Sequence, residues 1–332
     1  MTQTDLRLRL AMALMPVDSD PVMIACKVES GSVEAETWIQ DKRYYVEFQR
    51  SPIDLLAEAL KEKGLEGKRI GIELDYLMAT YYSELISLMP TTEFVPCTRM
   101  FERVRMIKDE KEIKLLGDSA KHTSKAFEAA CMMTSPGETE KALGKRTTDN
   151  LLTGADKLDF LCLCSGTRTI EVHGMPGDFP LEDGEIARID FGGQYRHYLT
   201  DLARTVGIGK VKPIYKDMFS RFAEAYAKTY EFIAPGVAAC EIHAEAKRQI
   251  EKCGLPFESH LVGHGLGIGP HEMPVLNAKE TQILLPGMVI CYEISIALHD
   301  RKMHHEETFC VRENSIELLS ASKMEPRMLM IE

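Results

Sequence analysis

The segment IARIDFGGQYRHYLTDLART, residues 186–205, places Asp190 and Asp201 in two apolar runs that are separated by a pair of glycines and a polar turn. An antiparallel hairpin centred between Tyr195 and Arg196 would set the two aspartates opposite each other on one face, with Cβ atoms roughly 5 Å apart. Two ionised carboxylates at that distance repel, so the pattern predicts a cation between them or a proton on one of them. The alternative for this segment alone is a turn that carries two solvated aspartates.

A second pair of acidic residues has the same arrangement. Glu293 and Glu306 lie in two further apolar runs, and a turn at residues 299–301 would set them opposite each other in a hairpin. Between the two pairs, His264 lies in GHGLG, residues 263–267, where the small neighbours allow close approach of the backbone. Two aspartates, two glutamates and one histidine suit two divalent ions, and the excess of oxygen favours Mn²⁺, Fe²⁺, Co²⁺ or Zn²⁺ over a thiolate site.

The order of these residues resembles the metallopeptidase family of methionine aminopeptidase, Xaa-Pro aminopeptidase and prolidase. The motifs that carry the resemblance are IDFGGQYRHYLTDLART, GHGLGIGPHEMP, LLPGMVICYE and HEETFCV, in that order. The resemblance runs from about Arg103 to the C terminus, and the N-terminal segment resembles the extra domain of the creatinase and Xaa-Pro branch.

This resemblance implies an α/β (α+β) chain with two domains. We expect a smaller N-terminal creatinase-like α/β domain at residues 1–104, in which strands and helices alternate. The catalytic domain at residues 105–332 would have the pita-bread fold, a curved antiparallel sheet covered by helices. The charged segment RVRMIKDEKE, residues 103–112, is the expected boundary and opens a helix.

The resemblance also implies a role for each site residue. Asp201 and Glu306 would bridge two metal ions, and Glu293 would also take the proton of a metal-activated water and pass it to the leaving nitrogen. His173 and His271 would hydrogen-bond the substrate carbonyl or the oxyanion, while His260 would position the substrate. The expected metal ligands are Asp190, Asp201, His264, Glu293 and Glu306. Glu307 is the open alternative to Glu306, which we choose because Thr308 and Val311 then match the family pattern.

Three positions depart from the Xaa-Pro branch. Ile294 follows Glu293 where the peptidases usually have Pro, and His304 stands two residues before Glu306 where that branch usually has Arg. Ala297 lies near the place of a usual Tyr. We expect all three positions to belong to the substrate wall, so they bear on proline specificity rather than on hydrolysis.

The chain is therefore expected to be a dinuclear-metal hydrolase that cleaves an amide bond, with an Xaa-Pro peptide bond favoured and Mn²⁺ as the favoured metal. One alternative is a metal-dependent hydrolase or lyase of a small non-peptide substrate, such as a cyclic amide or an osmolyte. A non-catalytic binding protein is disfavoured, because five buried acids and histidines without metal ions would be costly. The resemblance of the N-terminal segment implies a homodimer.

The composition of the chain narrows the classes of protein and partner that remain possible. The net charge of −11 argues against nucleic-acid binding, so a short peptide or a small amide is the expected partner. No stretch approaches eighteen apolar residues, so no membrane span is expected. The odd count of nine cysteines without CxxC fits reduced thiols and a cytoplasmic location. Trp38, Tyr44 and Tyr45 could reach a neighbouring subunit, but as aromatic residues we expect them in the core.

Overall fold

The computed structural model describes residues 9–321, 324 and 326–332, so what was expected of residues 1–8 lies outside the described residues. The chain divides into two compact units, residues 1–101 and 102–332. A helix at Thr98–Met106 runs through this division, and the boundary at 104/105 remains a prediction. None of the helices in the described part of the chain is long and apolar enough to cross a membrane.

The first unit alternates strands and helices, as the sequence predicts. One mixed sheet has the order β1-β2-β3, with β1 antiparallel and β3 parallel to β2, and β4 and β5 form a separate parallel pair. The elements are β1 (Met12–Leu14), β2 (Val22–Cys26), α1 (Ser30–Glu36), β3 (Asp41–Tyr45), α2 (Pro52–Glu62), β4 (Arg69–Ile72), α3 (Ala79–Leu88), β5 (Glu93–Pro96) and the start of α4 (Thr98–Met106).

The expected burial of the aromatic residues in this unit is wrong for one of them. Trp38 is 60% exposed, whereas Tyr45 is only 4% exposed. Trp38 lies between the end of α1 and the start of β3, outside the sheet, and its neighbour Ile39 fills the core instead. A large aromatic side chain is therefore left on the surface of the first unit.

The second unit contains two sheets covered by helices. One sheet has the antiparallel order β11-β10-β12-β13-β14, and the other has the order β15-β9-β7-β6 with β8 paired to β7. Helices α7 and α8 pack on the first sheet, and α5 and α6 pack on the second. The elements are α5 (Glu110–Met132), α6 (Glu140–Leu151), β6 (Lys157–Ser165), β7 (Ile186–Tyr195), β8 (Tyr198–Leu199), β9 (Leu202–Ile208), α7 (Pro213–Phe232), α8 (Ala239–Lys252), β10 (Leu261–Gly265), β11 (Glu272–Asn277), β12 (Val289–Leu298), β13 (Arg301–Val311), β14 (Ile316–Leu318) and β15 (Leu329–Ile331).

The expected register of the first hairpin is wrong. Asp190 is paired with Ala203 rather than with Asp201. The turn residues are Arg196 and His197, both with positive φ (49° and 71°), so the hairpin centre lies one residue later than predicted. Asp201 then falls in the interruption between β8 and β9, and its backbone carbonyl lies 3.8 Å from Cys291 Sγ.

The register of the second hairpin is confirmed. Glu293 on β12 is paired directly with Glu306 on β13. The turn is made by His299 and Asp300, which have φ values of 51° and 58°, so β12 and β13 stay in register along their length. The two acidic side chains therefore leave the sheet on the same face, side by side.

Candidate metal centre

Strand alternation decides which residues of β13 face the acidic cleft, which is the space that the predicted metal ligands surround. Lys302, His304 and Glu306 lie on one face of the strand, because successive side chains point to opposite sides. Met303 faces the hydrophobic core instead. The side chain of Thr205 on β9 holds the backbone of His304 from the neighbouring sheet, since its Oγ1 accepts from the His304 N–H at 3.0 Å and donates to the His304 carbonyl at 3.1 Å. Acidic residues of both sheets are thereby brought to one cleft.

The potential ligand atoms form two neighbouring groups. The first contains Asp201, His264 and His271, and the second contains Asp190, His304 and Glu306; within each, the ligand atoms lie within 4.8 Å of one another. Glu293 connects the groups, because its Oε1 lies 3.5 Å from His264 Nε2 and its Oε2 lies 3.1 Å from His304 Nε2. All five sequence-predicted ligands therefore reach this cleft.

Unpartnered polar atoms show that this donor set fits cations. Asp190 Oδ1, Asp201 Oδ1 and His264 Nε2 are buried without a hydrogen-bond partner among the described residues. Buried acceptors of this kind are costly unless a proton or a cation satisfies them. Carboxylate and imidazole donors are the ligands that divalent ions such as Mn²⁺, Co²⁺, Zn²⁺ and Fe²⁺ accept. The residues present therefore suit bound metal ions.

The ionisation of the acids reflects their crowding. Burial, followed by the negative charge of neighbouring carboxylates, raises the pKa of Asp201 and of Glu306 well above the usual range. Burial also raises the pKa of Asp190. Burial acts in the same direction on Glu293, but the hydrogen bond from His304 together with further interactions with His304, His264 and Glu306 outweighs it and lowers the pKa of Glu293 to about 2. A cation would relieve this repulsion.

Glu307 is engaged on the other side of β13. Its Oε1 accepts from Arg204 Nη2 at 2.7 Å and lies 3.2 Å from His305 Nε2, and Oε2 accepts from the Ser320 hydroxyl. Burial raises the pKa of Glu307, but the charge of Arg204 and the hydrogen bonds from His305 and Ser320 together outweigh it, so the pKa falls to about 2. These contacts satisfy Glu307 as a structural acid and leave Glu306 as the acid that faces the cleft.

Two of the three departures do not lie in the substrate wall. Ile294 is 1% exposed and packs in the core, since it points to the opposite face of β12 from Glu293. His304 is 5% exposed, and its Nε2 lies 3.1 Å from Glu293 Oε2 and 3.2 Å from Glu306 Oε1. His304 is therefore part of the acidic cluster itself, and only the partly exposed Ala297 remains available to a wall.

The three predicted catalytic histidines differ in their placement. His271 is exposed, and its ring centroid lies 4.1 Å from that of His264. His173 is also exposed and follows two carbonyls that accept hydrogen bonds from Arg188. His260 is exposed, lies one residue before β10 and belongs to neither group of ligand atoms.

Sequence reasoning missed Arg188 and one buried ion pair, and it assigned His304 to the substrate wall instead of the acidic cluster. Arg188 and His304 each stand two positions before a predicted ligand on a strand, so alternation alone could have placed both in the cleft. The buried pair Lys108 and Glu272 had no such signal, because 164 residues separate the two in the chain.

Comparisons with known proteins give the relatives of this chain. Residues 114–313 match Metallopeptidase family M24, and residues 8–107 match the Creatinase/Prolidase N-terminal domain. An Xaa-Pro dipeptidase of Pyrococcus horikoshii is 30% identical over 268 residues, covering 79% of this chain and 76% of the relative. An uncharacterized peptidase of Bacillus subtilis is 30% identical over 284 residues, covering 84% of this chain and 80% of the relative.

Solved structures share the fold. A prolidase from Pyrococcus horikoshii superposes with a TM-score of 0.86 at 27% identity and covers 96% of this chain and 89% of its own. An X-Pro aminopeptidase from Thermotoga maritima gives a TM-score of 0.86 at 23% identity, over 97% and 90%. The pita-bread fold and these relatives define a metallopeptidase, for which divalent metal ions and a peptide substrate are implied. Within that class, the chain belongs to metallopeptidase family M24.

Proposed function

We propose that this chain is a dinuclear-metal peptidase that hydrolyses the bond before proline in a short Xaa-Pro peptide. The observation that carries the proposal is the convergence of four carboxylates and His264 on one cleft, with three buried ligand atoms unpartnered among the described residues. The Xaa-Pro preference is supported by the name of the Pyrococcus horikoshii relative and by the matching N-terminal domain.

The two groups of ligand atoms suggest how two ions would be held. Asp190 would hold one ion, and His264 with Glu293 would hold the other. Asp201 belongs to the first group and Glu306 to the second, and the two carboxylates interact with each other, so both would serve the two ions. When bound, the metal ions supply Lewis-acid activation of water and of the scissile carbonyl. Mn²⁺ is the favoured metal, because oxygen donors dominate the set.

The chain's own residues would handle the protons and the substrate. Burial opposes the ionisation of Glu293, but the hydrogen bond from His304 and further interactions with His304, His264 and Glu306 lower its pKa to about 2, so its carboxylate would accept a proton at neutral pH and pass it to the leaving nitrogen. The exposed imidazoles of His271 and His173 would donate to the carbonyl oxygen as negative charge develops there. The exposed His260 would position the substrate farther from the reacting bond.

We also propose that the protein acts as a homodimer in the cytoplasm. The exposed Trp38 and Phe48 of the first unit, 60% and 99% exposed, offer apolar surface of the kind that subunit contacts cover. The nine cysteines are all free thiols, which fits a reducing compartment. A strictly monomeric mass in solution at micromolar concentration would contradict the dimer.

Metal analysis combined with a substrate screen tests the central proposal. Purified protein should hold up to two divalent ions per chain and lose activity on chelation, and Mn²⁺ should restore that activity. Xaa-Pro tripeptides should be cleaved in preference to matched Xaa-Ala tripeptides, and cyclic amides should remain intact. Full activity after exhaustive metal removal, or equal cleavage of Xaa-Pro and Xaa-Ala peptides, would overturn the corresponding part.

A further inference from the structure

Arg188 is a fully buried cation that the proposed chemistry does not use. It lies on β7 two residues before Asp190, with its side chain on the same face, and only 1% of the residue is exposed. A guanidinium this deeply buried is costly unless partners satisfy its donors. Its Nε has no hydrogen-bond partner among the described residues, so its contacts are concentrated on the two terminal nitrogens.

Those two nitrogens connect the acidic cluster to the loop of His173. Arg188 Nη1 lies 3.4 Å from His304 Nδ1. Arg188 Nη2 donates to the carbonyl of Glu171 at 3.0 Å and also to the carbonyl of Val172. Because Arg188 is buried, it does not reach a substrate, and its effect must pass through these partners.

The polarity of the contact with His304 follows from chemistry. A guanidinium carries only donors, so the 3.4 Å contact is a hydrogen bond only if Nδ1 of His304 accepts, and the nearest carboxylate oxygen to Nδ1, Asp190 Oδ2, lies farther away at 3.8 Å. A neutral imidazole that accepts at Nδ1 carries its proton at Nε2. The Nε2 atom lies 3.1 Å from Glu293 Oε2 and 3.2 Å from Glu306 Oε1, so its N–H can donate to a carboxylate.

We propose that Arg188 is a positioning residue that fixes His304 as an Nε2–H donor to Glu293 and Glu306. The same contact excludes His304 from binding a metal ion through Nε2, although its ligand atom lies within 4.8 Å of those of Asp190 and Glu306. The two bonds to the Glu171 and Val172 carbonyls hold the backbone just before His173 against the cleft. This inference deepens the proposed function and rests on it for the roles of Glu293 and His173.

Nitrogen NMR of ¹⁵N-histidine-labelled protein tests the inference without any assay of activity. The wild-type protein, loaded with diamagnetic Zn²⁺ at constant neutral pH, should show His304 as the neutral Nε2–H tautomer, with its signals assigned from their absence in His304→Gln. Arg188→Met should shift His304 away from that tautomer. Arg301→Met is the matched control, because it removes another largely buried arginine, paired with Glu185, and should leave the His304 signals unchanged.

Two further measurements separate positioning from folding. Arg188→Met should lower kcat by roughly 10- to 100-fold with a smaller change in KM, because displaced catalytic groups cost rate rather than binding. His304→Gln should retain most of the rate, since an amide can donate to a carboxylate and accept from Arg188, whereas His304→Leu should not. Arg188→Lys replaces the forked guanidinium with a single nitrogen and should recover only part of kcat.

The possible results each bear on the proposal. A doubly protonated His304, an Nδ1–H tautomer or a metal-bound Nε2 in the wild-type protein would overturn it, as would an unchanged tautomer in Arg188→Met. If the wild-type protein bound no metal yet kept the Nε2–H tautomer, the proposed function would fail while the role of Arg188 toward His304 would stand.

Discussion

Lys108 Nζ lies 2.8 Å from Glu272 Oε2, and both side chains are more than nine-tenths buried. Lys108 lies between α4 and α5, and Glu272 is the first residue of β11, directly after His271. Glu272 Oε1 also accepts from the backbone N–H groups of Ile268 and Gly269, at 3.1 Å and 2.9 Å. This ion pair therefore anchors the glycine-rich loop that carries His271 to the start of the second unit.

Removing the cation of this pair should be strongly destabilising. Lys108→Met leaves a buried carboxylate without its counter-charge, so the free energy of unfolding should fall by roughly 3–5 kcal/mol. Urea denaturation followed by circular dichroism measures the change. Lys114→Met is the control, because the exposed Lys114–Asp118 pair should contribute about 1 kcal/mol or less.

The double variant Lys108→Met/Glu272→Gln separates charge from packing. It should be more stable than Lys108→Met alone, since no uncompensated charge remains in the interior. A single variant as stable as the wild type would show that Glu272 is satisfied by the loop N–H groups without the lysine.

The pairing of Glu293 with Glu306 could be predicted from the sequence, because the pattern that sets it is local. Strand alternation and a short turn place Glu293 opposite Glu306. The same reasoning gave Asp190 the wrong partner, because it placed the centre of the turn one residue too early. That slip came from the turn itself. The sequence does not state that Arg196 and His197 both take positive φ, a backbone conformation that Gly and Asn adopt more readily.

The supporting contacts could not be predicted, because they depend on how distant strands pack. His304 was assigned to the substrate wall, yet the neighbouring sheet brings Arg188 against its ring from 116 residues away. Trp38 was assigned to the core by residue type, although its position outside the sheet leaves it exposed. Periodicity reports which face a side chain occupies, whereas the partner on that face is set by tertiary structure.

Glu306 and Glu307 should respond differently to neutralisation. Glu306→Gln should reduce the metal content, because an amide cannot replace a carboxylate shared by two ions. It should not destabilise the metal-free protein, because Glu306 there adds to the repulsion among the buried carboxylates. Glu307→Gln should keep both metals and lower the free energy of unfolding by roughly 3 kcal/mol, since Arg204 loses its buried partner. Metal analysis and denaturation of both variants make the comparison. Full metal content in Glu306→Gln with loss in Glu307→Gln would reverse the assignment.

His271 should affect the chemical step and not the metals. His271→Ala should keep both ions and lower kcat by roughly 10²-fold, the range for losing one donor to a developing oxyanion. His260→Ala should act mainly on KM, because His260 lies outside both groups of ligand atoms. Metal analysis with steady-state kinetics on one Xaa-Pro tripeptide distinguishes the effects of the two variants. Loss of an ion from His271→Ala would instead identify His271 as a ligand of the group with Asp201 and His264.

Lys302 should contribute to the binding of a free C-terminal carboxylate. It shares the cleft face of β13 with His304 and Glu306, is partly exposed, and forms no ion pair with any described residue in the structure. Burial, followed by the positive charge of Arg188, lowers the pKa of Lys302, which indicates that a negative group nearby would be favourable. The buried His304 is already engaged with Glu293 and Glu306 and cannot take this role.

A matched pair of substrates isolates that contribution. Lys302→Met should lower kcat/KM for an Xaa-Pro dipeptide by roughly 10-fold or more, the effect of losing one charge-assisted hydrogen bond. The same variant should barely change kcat/KM for the corresponding dipeptide amide, which lacks the carboxylate. Lys216→Met, on the helix α7, serves as a control for the loss of one surface charge. An equal loss on the acid and on the amide would show that Lys302 supports the strand rather than the substrate carboxylate.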